Sequence, residues 1–225
     1  MTSEQALTVA SNDLPDGARA ADVEARPGRG GAGSPTSIVV VRHGATEWSR
    51  NGRHTSRTDL PLDEGGREEA LAIGVRLRRR RFAQVLTSPR RRARETCELA
   101  GFGARAEVLE DLAEWAYGDY EGLTTAEIRE RQAGWSVFRD GCPGGESPQE
   151  VGARADRVLE RLALRPDGDP GEAVLLFSHG HFLRVLAARW LRLSPGAGRH
   201  LALDAGRLSE IGFERDTPAL LTWNS

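Results

Sequence analysis

Cysteine is scarce in this sequence, and long apolar runs are absent. The 225 residues include only two cysteines, Cys97 and Cys142, which argues against a disulfide framework and favours a reduced, cytoplasmic protein. The uninterrupted apolar runs are only a few residues long, so no transmembrane helix is predicted. The N-terminus lacks a basic segment followed by an apolar core, and we therefore predict no signal peptide.

Lysine is also absent, since all 31 basic residues are arginine. The formal net charge of −2 argues against a chain that binds polyanions through its overall charge. Five of the six residues at positions 76–81 are arginine, but the aromatic residues that single-strand binders interleave with such charges are missing. We interpret this run as the solvated face of a helix, and we expect neither a nucleic-acid nor a membrane partner.

Composition divides the chain into two parts. Residues 1–35 are rich in Gly, Ala, Pro, Asp and Arg and poor in large apolar side chains. Burial in such a segment cannot offset the conformational entropy lost on ordering. We therefore predict a flexible leader over residues 1–35 and one folded domain over residues 36–225.

Strand and helix patterns alternate through the folded part. Strands are predicted over residues 37–41, 82–87, 173–177, 207–213 and 220–223, and helices over residues 64–81, 90–100, 124–131, 147–164 and 182–193. Thr124 and Ser147 each precede a Glu by three residues, which is the signature of a capping box. The alternation predicts an α/β fold in which a mostly parallel central sheet lies between two layers of helices.

Three of the predicted strands end in residues suited to binding a phosphoryl group. The first is followed by Arg42-His43-Gly44, the second by Ser88-Pro89-Arg90-Arg91-Arg92, and the third by Ser178-His179-Gly180-His181. Ligand sites lie at the carboxyl ends of strands in open α/β sheets, so we expect these residues to meet. Arginine supplies bidentate donors of permanent charge, and glycine lets backbone N–H groups approach an anion. A neutral imidazole, its pKa lowered from about 6.5 by nearby cations, can attack phosphorus.

A proton donor for the leaving group is expected between residues 112 and 122. Glu114 lies among Trp115, Tyr117 and Tyr120, and partial desolvation there would raise its pKa. Asp119 and Glu121 are the alternatives. The rings of Trp115 and Tyr117 either shape a substrate pocket or pack beneath it.

Together these motifs resemble the histidine phosphatase superfamily, the phosphoglycerate-mutase-like clan, over residues 37–225. The resemblance rests on Arg42-His43-Gly44, Ser88-Pro89-x-x-Arg92-Ala93-x-x-Thr96, Glu114 and Ser178-His179-Gly180. It implies a three-layer α/β/α fold and a catalytic set of His43, Glu114, Arg42, Arg92 and His179. His43 would form a phosphohistidine, the two arginines and His179 would stabilise the transferring group, and Glu114 would protonate the leaving group and then activate water.

The same resemblance implies a set of substrate contacts and no metal or other cofactor. The substrate-binding residues would be Ser49, Thr55, Ser56, Gly180 and His181. Asn is common in the family where this chain has Ser49. His181 either lines the entrance or faces the start of a helix, and His54 either binds substrate or has no role. Arg90, Arg91 and Arg94 are not expected to bind phosphate, and Cys142 is expected to be inert.

Within the clan, the segments 52–55, 114–122 and 141–147 look most like the small acid-phosphatase and sugar-bisphosphatase branch. Cofactor-dependent mutases usually carry a longer central insertion and a C-terminal tail, whereas this sequence ends soon after Trp223. We therefore expect hydrolysis of a small phosphorylated metabolite. The alternatives are a phosphomutase, an inactive binding module on the same fold, and a metallophosphatase, which the lack of well-placed Asp ligands disfavours. The oligomeric state stays open, with a homodimer among the options.

Overall fold

The computed structural model describes residues 35–225, except for the side chains of residues 170 and 171. The predicted leader, residues 1–35, lies outside the described residues apart from Pro35. None of the helices in the described range combines the length and the apolar character that crossing a bilayer requires.

One mixed sheet forms the centre of the described region. Its strands are β1 (Pro35–Arg42), β2 (Phe82–Thr87), β3 (Ala106–Val108), β4 (Asp169–Ser178), β5 (Leu208–Glu214) and β6 (Thr217–Thr222). Their spatial order is β3-β2-β4-β1-β5-β6. The pairs β3–β2, β2–β4 and β4–β1 are parallel, and β1–β5 and β5–β6 are antiparallel. The predicted mostly parallel sheet is confirmed.

The helices of the described region follow the predicted pattern closely. They are α1 (Glu47–Arg50), α2 (Glu64–Leu77), α3 (Arg91–Leu99), α4 (Thr125–Arg131), α5 (Val137–Asp140), α6 (Pro148–Leu162) and α7 (Gly180–Trp190). Short 3₁₀ segments lie at Gly103–Arg105, Glu110–Leu112, Gly118–Tyr120 and Pro195–His200. Thr124 and Ser147 both form the predicted capping boxes, so both helix starts were readable from local sequence alone.

Both faces of the sheet are buried, as alternation along β1 shows. Ile38 and Val40 belong to an apolar cluster that includes residues of α6 and α7. Val39 and Val41 belong to a second cluster, which contains Ile73 of α2 and other residues of α2 and α3. Because successive side chains of a strand point to opposite faces, a continuous apolar strand requires helices on each side. This burial explains the run of β-branched residues before Arg42.

The structure corrects some predicted boundaries. Helix α2 ends at Leu77 rather than at residue 81. Four successive arginines follow, and like charges disfavour a further helical turn. Arg80 instead forms a bidentate ion pair with Glu210 of β5, at 2.7 and 2.8 Å. Strand β3 and the single-turn helices α1 and α5 were not predicted, because three or four residues are too few to show a periodicity.

Candidate active site

The three strand ends that carry the predicted phosphate ligands lie side by side. Arg42 at the end of β1 pairs with Ser178 of β4, and Thr87 at the end of β2 pairs with Phe177 of β4. Hydrogen bonds continue past the strands, since His43 N donates to the Ser178 carbonyl over 3.0 Å. Parallel pairing of β2, β4 and β1 therefore brings both imidazoles and the arginines into one region.

The imidazole of His43 is held in one tautomer by its two neighbours. Nδ1 lies 2.7 Å from the carbonyl oxygen of Gly44, and Arg92 Nε donates to Nε2 over 3.2 Å. A carbonyl can only accept and a guanidinium can only donate, so Nδ1 carries the proton and Nε2 presents its lone pair. Burial, together with the charges of Arg92 and Arg42, lowers the pKa of His43 well below 6.5. The imidazole is therefore neutral near neutral pH.

Two guanidiniums near His43 form no ion pair with an acidic side chain of the described residues. Arg92 is 1% exposed, and its two Nη atoms donate to the carbonyls of Thr55 and Thr58 at 2.9 and 3.3 Å. Arg42 is half-buried and donates to the carbonyl of Leu203. Within residues 35–225 neither arginine forms an ion pair with Asp or Glu. Burial of a cation costs free energy unless a counter-charge is present, so this region favours an anion.

His179 lies against His43, with ring centroids 5.1 Å apart. Its Nε2 is 2.7 Å from the hydroxyl of Ser88, and burial, followed by the charge of Arg92, lowers its pKa well below 6.5. Nδ1 of His179 and Nε of Arg42 are buried and have no hydrogen-bond partner among the described residues. Buried polar atoms are normally paired. An oxyanion bound at His43 would supply the missing acceptor for Arg42 and for the Nδ1–H tautomer of His179.

The carboxylate of Glu114 lies at the N-terminus of α7. Its Oε1 accepts hydrogen bonds from the backbone N–H groups of Trp115 and Phe182, both at 2.9 Å, and Oε2 accepts one from His181 at 3.1 Å. The first N–H groups of a helix have no partner within the helix. The Glu114 carboxylate accepts hydrogen bonds from two of these N–H groups, those of His181 and Phe182. The side chain is therefore buried and fixed in one orientation.

An ion pair between a buried arginine and a half-buried glutamate holds the segment that carries Glu114. Arg154 of α6 donates to the carbonyl of Ala113 at 2.5 Å and to that of Glu114 at 3.4 Å. It also pairs with Glu146 at 2.9 Å, and Glu146 accepts a hydrogen bond from Ala116 N at 2.8 Å. The backbone on both sides of Glu114 is thereby tied to α6 and to the loop before it.

These groups surround a cavity of about 220 Å³. Its lining consists of Arg42, His43, Thr46, Ser49, Gly52, Arg53, His54, Thr55, Glu114, Tyr117, Thr125, Gly180, His181 and Arg184. Three of the five predicted catalytic residues line it directly. Arg92 and His179 do not line it, but Arg92 donates to His43 Nε2 and the His179 ring lies next to the His43 ring.

Among the described residues, Glu114 is the one acidic residue that lines the cavity. The two alternative proton donors, Asp119 and Glu121, do not line the cavity. Asp119 is exposed, and Glu121 accepts backbone hydrogen bonds from Ser56 and Thr58 at 2.8 and 3.0 Å. The geometry therefore favours Glu114 over both as the proton donor.

Of the two aromatic residues Trp115 and Tyr117, one lines the cavity and the other does not. Tyr117 lines the cavity. Trp115 is fully buried, and its indole N–H donates to the Glu146 carbonyl over 2.9 Å. One ring therefore shapes the cavity and the other packs beneath it.

The predicted substrate contacts Ser49, Thr55 and Ser56 differ in position. Ser49 lines the cavity, but its hydroxyl donates to the Thr46 carbonyl and accepts from Thr46 N, and the second of these bonds belongs to the capping box of α1. Thr55 also lines the cavity. Ser56 is buried, and it is absent from the cavity lining. The structure therefore brings Ser49 and Thr55 to the site, and it does not bring Ser56.

Gly180 and His181, the other two predicted contacts, both line the cavity. A Cβ at Gly180 would lie 3.1 Å from Arg42 Cζ, so glycine permits the close approach of this guanidinium. The ring of His181 accepts or donates a hydrogen bond to the Tyr117 hydroxyl over 2.6 Å. Of the two positions considered for His181, the structure shows the one in the cavity wall.

One expectation for the glycine after His43 is wrong. The N–H of Gly44 is not free for an anion, because it donates to Thr96 Oγ1 over 3.1 Å. The hydroxyl of Thr96 in turn donates to the carbonyl of Arg92 at 2.7 Å. Glycine is required for a different reason, since a Cβ at Gly44 would lie 2.2 Å from the carbonyl oxygen of Gly66.

Sequence reasoning left the role of His54 open and missed other lining residues. His54 is 7% exposed, its ring lies 4.7 Å from that of Tyr117, and burial lowers its pKa to about 4. It lies in a loop without periodicity, so no sequence pattern could place it. Arg184 was also missed, although its spacing of three residues from His181 on one helix was a usable signal. Arg53 and Thr125 line the cavity as well.

A bound metal ion or a reactive cysteine would point to a different reaction chemistry. Among residues 35–225, no group of three or more His, Cys, Asp and Glu side chains is arranged to hold a metal ion. Cys142 is buried, and burial raises the pKa of its thiol to about 12. Because the thiolate is the reactive form, this cysteine is unreactive at neutral pH.

The chain is similar to known proteins over most of the described region. The family model described as histidine phosphatase superfamily (branch 1) matches residues 38–225. An acid phosphatase of Mycobacterium tuberculosis is 41% identical over 179 residues, covering 79% of this chain and 86% of the relative. The sedoheptulose 1,7-bisphosphatase of Saccharomyces cerevisiae is 38% identical over 182 residues, covering 69% and 67%.

Solved structures agree with this match. The product of an open reading frame of Mycobacterium tuberculosis superimposes with a TM-score of 0.77 at 38% identity, covering 84% of this chain and 97% of that one. Phosphoglycerate mutases also occur among the relatives. The predicted phosphoglycerate-mutase-like fold is confirmed.

Proposed function

The chain belongs to branch 1 of the histidine phosphatase superfamily, and we propose that it hydrolyses small phosphomonoesters through a phosphohistidine on His43. One observation carries the proposal. The neutral Nε2 of His43 lies near Arg42, Arg92 and His179, and neither arginine forms an ion pair with an acidic side chain in the described structure. The relatives named as an acid phosphatase and a sugar bisphosphatase support the same reaction class.

In the first step, the lone pair of His43 Nε2 attacks phosphorus. The bond between phosphorus and the ester oxygen breaks, and Glu114 in its acid form gives its proton to that oxygen. The bound phosphoryl displaces the hydrogen bond from Arg92 to Nε2, and its oxygens accept from Arg42, Arg92 and His179. The Nδ1–H of His43 remains hydrogen-bonded to the Gly44 carbonyl, so the positive charge that develops on the ring is stabilised.

In the second step, the Glu114 carboxylate takes a proton from water, and the water oxygen attacks phosphorus. The bond between phosphorus and Nε2 breaks, which releases inorganic phosphate and restores neutral His43 and the acid form of Glu114. A phosphomutase shares the first step but returns the phosphoryl to a second hydroxyl of the bound alcohol. The products therefore distinguish the two reactions.

Phosphate release and product analysis test this proposal. Purified chain is incubated with 4-nitrophenyl phosphate, phosphosugars and phosphoglycerates, with and without a chelator. We expect inorganic phosphate from the wild type, no effect of chelation, and loss of turnover in His43→Ala. His200→Ala is the matched control, because this histidine is exposed and does not line the cavity.

Other results would replace the proposal with one of its alternatives. An isomeric phosphoester in place of phosphate would identify a mutase. Loss of activity on chelation would indicate a metal-dependent reaction. Equal or no release by the wild type and His43→Ala would indicate an inactive binding module on the same fold.

The remaining expectations are part of the same proposal. The substrate is a small phosphorylated metabolite, and the chain acts in the cytoplasm without a nucleic-acid or membrane partner. The two buried cysteines are unpaired in the described structure, which fits a reducing compartment. A homodimer stays an open option.

A further inference from the structure

Ser88 belongs to the second strand-end motif, and the proposed reaction gives it no role. It follows β2 directly and is fully buried. Its N–H donates to the Phe177 carbonyl of β4 over 2.9 Å, so strand pairing fixes its backbone beside the strand that leads to His179. The Ser88 hydroxyl lies 2.7 Å from Nε2 of His179, whose ring is next to that of His43.

The local sequence holds the Ser88 side chain in one direction. Its Oγ accepts a hydrogen bond from the N–H of Arg90, two residues later, over 3.2 Å. Serine commonly forms this turn with the backbone two residues ahead, and the intervening Pro89 has no N–H of its own. One lone pair of the hydroxyl is therefore occupied by Arg90 N. The hydroxyl proton and the second lone pair remain for His179.

A count of donors and acceptors shows which of the two His179 receives. If Nε2 carried the proton of the neutral ring, the Ser88 oxygen would accept two hydrogen bonds. The hydroxyl proton and the lone pair of Nδ1 would then both be buried without a partner among the described residues. If the Ser88 hydroxyl donates to Nε2, only the Nδ1–H of His179 lacks a partner. Unpaired buried polar groups cost free energy, so the second arrangement is favoured.

The one group left unpaired in this arrangement lies next to the reacting imidazole. Nδ1 of His179 and Nε of Arg42 are the two buried nitrogens near His43 without a partner in the described structure. The residue after His179 contacts the same guanidinium, since a Cβ at Gly180 would lie 3.1 Å from Arg42 Nε. Two unpaired N–H donors beside a nucleophile are suited to stabilising an oxyanion that forms there.

We propose that Ser88 is a positioning residue, which holds His179 as the Nδ1–H tautomer so that this ring donates a hydrogen bond to the phosphoryl group at His43. The opposite tautomer would present a lone pair to the phosphoryl oxygens, which can only accept. Arg90 N–H, the Ser88 hydroxyl and the His179 ring thus form one chain of hydrogen bonds that ends at the phosphoryl group. The inference rests on the proposed function, because it concerns how the same site holds the transferring group.

The tautomer of His179 is measured by ¹⁵N NMR of the histidine-labelled chain near neutral pH. The spectrum of His179→Gln, which lacks this ring, assigns the resonances. We expect the wild type to show a protonated Nδ1 and an unprotonated Nε2. In Ser88→Ala a substantial fraction of the Nε2–H tautomer should appear, because no remaining hydrogen bond of the ring distinguishes its two nitrogens.

A double-mutant cycle then connects Ser88 to the reaction through His179. On 4-nitrophenyl phosphate, Ser88→Ala should lower kcat/KM by about 10-fold, less than the roughly 10²- to 10³-fold that removal of an oxyanion donor causes, because part of the rings keep the required tautomer. Inhibition by orthovanadate, which resembles the transferring phosphoryl group, should weaken by a similar factor. In the His179→Ala background, Ser88→Ala should change kcat/KM by less than about 2-fold, since the ring that it positions is gone.

The control is Ser209→Ala, which removes another fully buried hydroxyl. The Ser209 hydroxyl accepts from Asn224 N over 2.9 Å and forms no hydrogen bond to a histidine in the described structure. This variant should match the wild type both in the tautomer of His179 and in kcat/KM.

Three results would overturn the role of Ser88 while phosphate release upheld the phosphatase. They are a wild-type His179 ring with its proton on Nε2, an unchanged tautomer in Ser88→Ala, and equal losses from Ser88→Ala with and without His179. The first needs no substitution at Ser88, so it decides the proposal even if Ser88→Ala does not fold. Absence of phosphate release by the wild type would instead overturn the proposed function, and with it this role in the reaction, whichever tautomer the ring shows.

Discussion

The guanidinium of Arg92 donates a hydrogen bond from Nε to Nε2 of His43 over 3.2 Å. Because the Nδ1–H of the same ring is directed to the Gly44 carbonyl, this contact fixes the tautomer that a nucleophile requires. The same cation lowers the pKa of His43. One buried arginine thus adds to the effect of burial on the pKa of the imidazole, fixes its tautomer through Nε2, and in the proposed reaction supplies charge for the phosphoryl group that displaces it from Nε2.

The protonation state of His43 follows from this contact. In the free wild-type protein, the ring should stay neutral as the pH falls through 6.5, because burial and two cations hold its pKa well below that value. Arg92→Gln removes one of these cations, so the pKa should rise and the neutral fraction at a given acidic pH should fall. ¹⁵N NMR titration of His43 measures both, and Arg92→Lys, which keeps the charge, is the control. An unchanged or lower pKa in Arg92→Gln would contradict the electrostatic account.

The proposed proton-donor role of Glu114 predicts a dependence on the leaving group. Glu114→Gln should lower kcat/KM, which reports the first step alone, by about 10²- to 10⁴-fold for alkyl phosphates and much less for 4-nitrophenyl phosphate, because nitrophenolate leaves without a proton. A plot of log kcat/KM against leaving-group pKa should therefore become steeper. Asp119→Asn, at an exposed position, should keep the wild-type slope. Equal losses on alkyl and aryl esters would remove Glu114 from this role.

Arg154 is predicted to act as a positioning residue for Glu114. Lysine at this position keeps the charge but cannot reach Glu146 and the carbonyls of Ala113 and Glu114 together. Small displacements of a catalytic group slow the reaction strongly. Arg154→Lys should therefore lower kcat/KM for esters with poor leaving groups on the order of 10-fold more than kcat/KM for 4-nitrophenyl phosphate. The control is Arg157→Gln on the same helix, where the ion pair with Asp111 is exposed. A uniform loss on all esters would show that the ion pair serves only stability.

The lowered pKa of His54 predicts a loss of stability in acid. The folded ring takes up a proton only near pH 4, whereas the unfolded side chain does so near 6.5. Between these values the unfolded state binds more protons, so the free energy of unfolding falls as the pH falls. From pH 7 to pH 5 the wild type should lose about 2 kcal/mol more than His54→Asn. Urea unfolding at both pH values measures this difference, and equal losses would show that His54 titrates normally in the folded state.

The sequence predicted the features that depend on neighbouring residues. Apolar runs marked the strands, Thr124 and Ser147 marked two helix starts, and the residues after the strands marked the phosphoryl ligands. The parallel order of β2, β4 and β1 then brings those ends together, so Arg42, His43 and His179 could be grouped before any coordinates were known.

What the sequence could not predict depends on tertiary contacts. His54 enters the cavity from a loop, and Arg184 does so from the interior of a helix. The hydroxyl of Ser49 is used by the cap of α1, and the N–H of Gly44 is used by Thr96. The surroundings of each of these groups depend on the backbone conformation or on residues far away along the chain. A short sequence motif contains neither kind of information.

The most direct test of the central claim is to trap the covalent intermediate. Wild-type protein is mixed with a ³²P-labelled substrate, denatured within milliseconds and digested, and the labelled peptide is sequenced. We expect one label per chain at most, on His43, stable in alkali and lost in acid, and absent from His43→Ala but present in His200→Ala. A label on another residue, or hydrolysis with no label at all under conditions where the second step is slowed, would contradict the account.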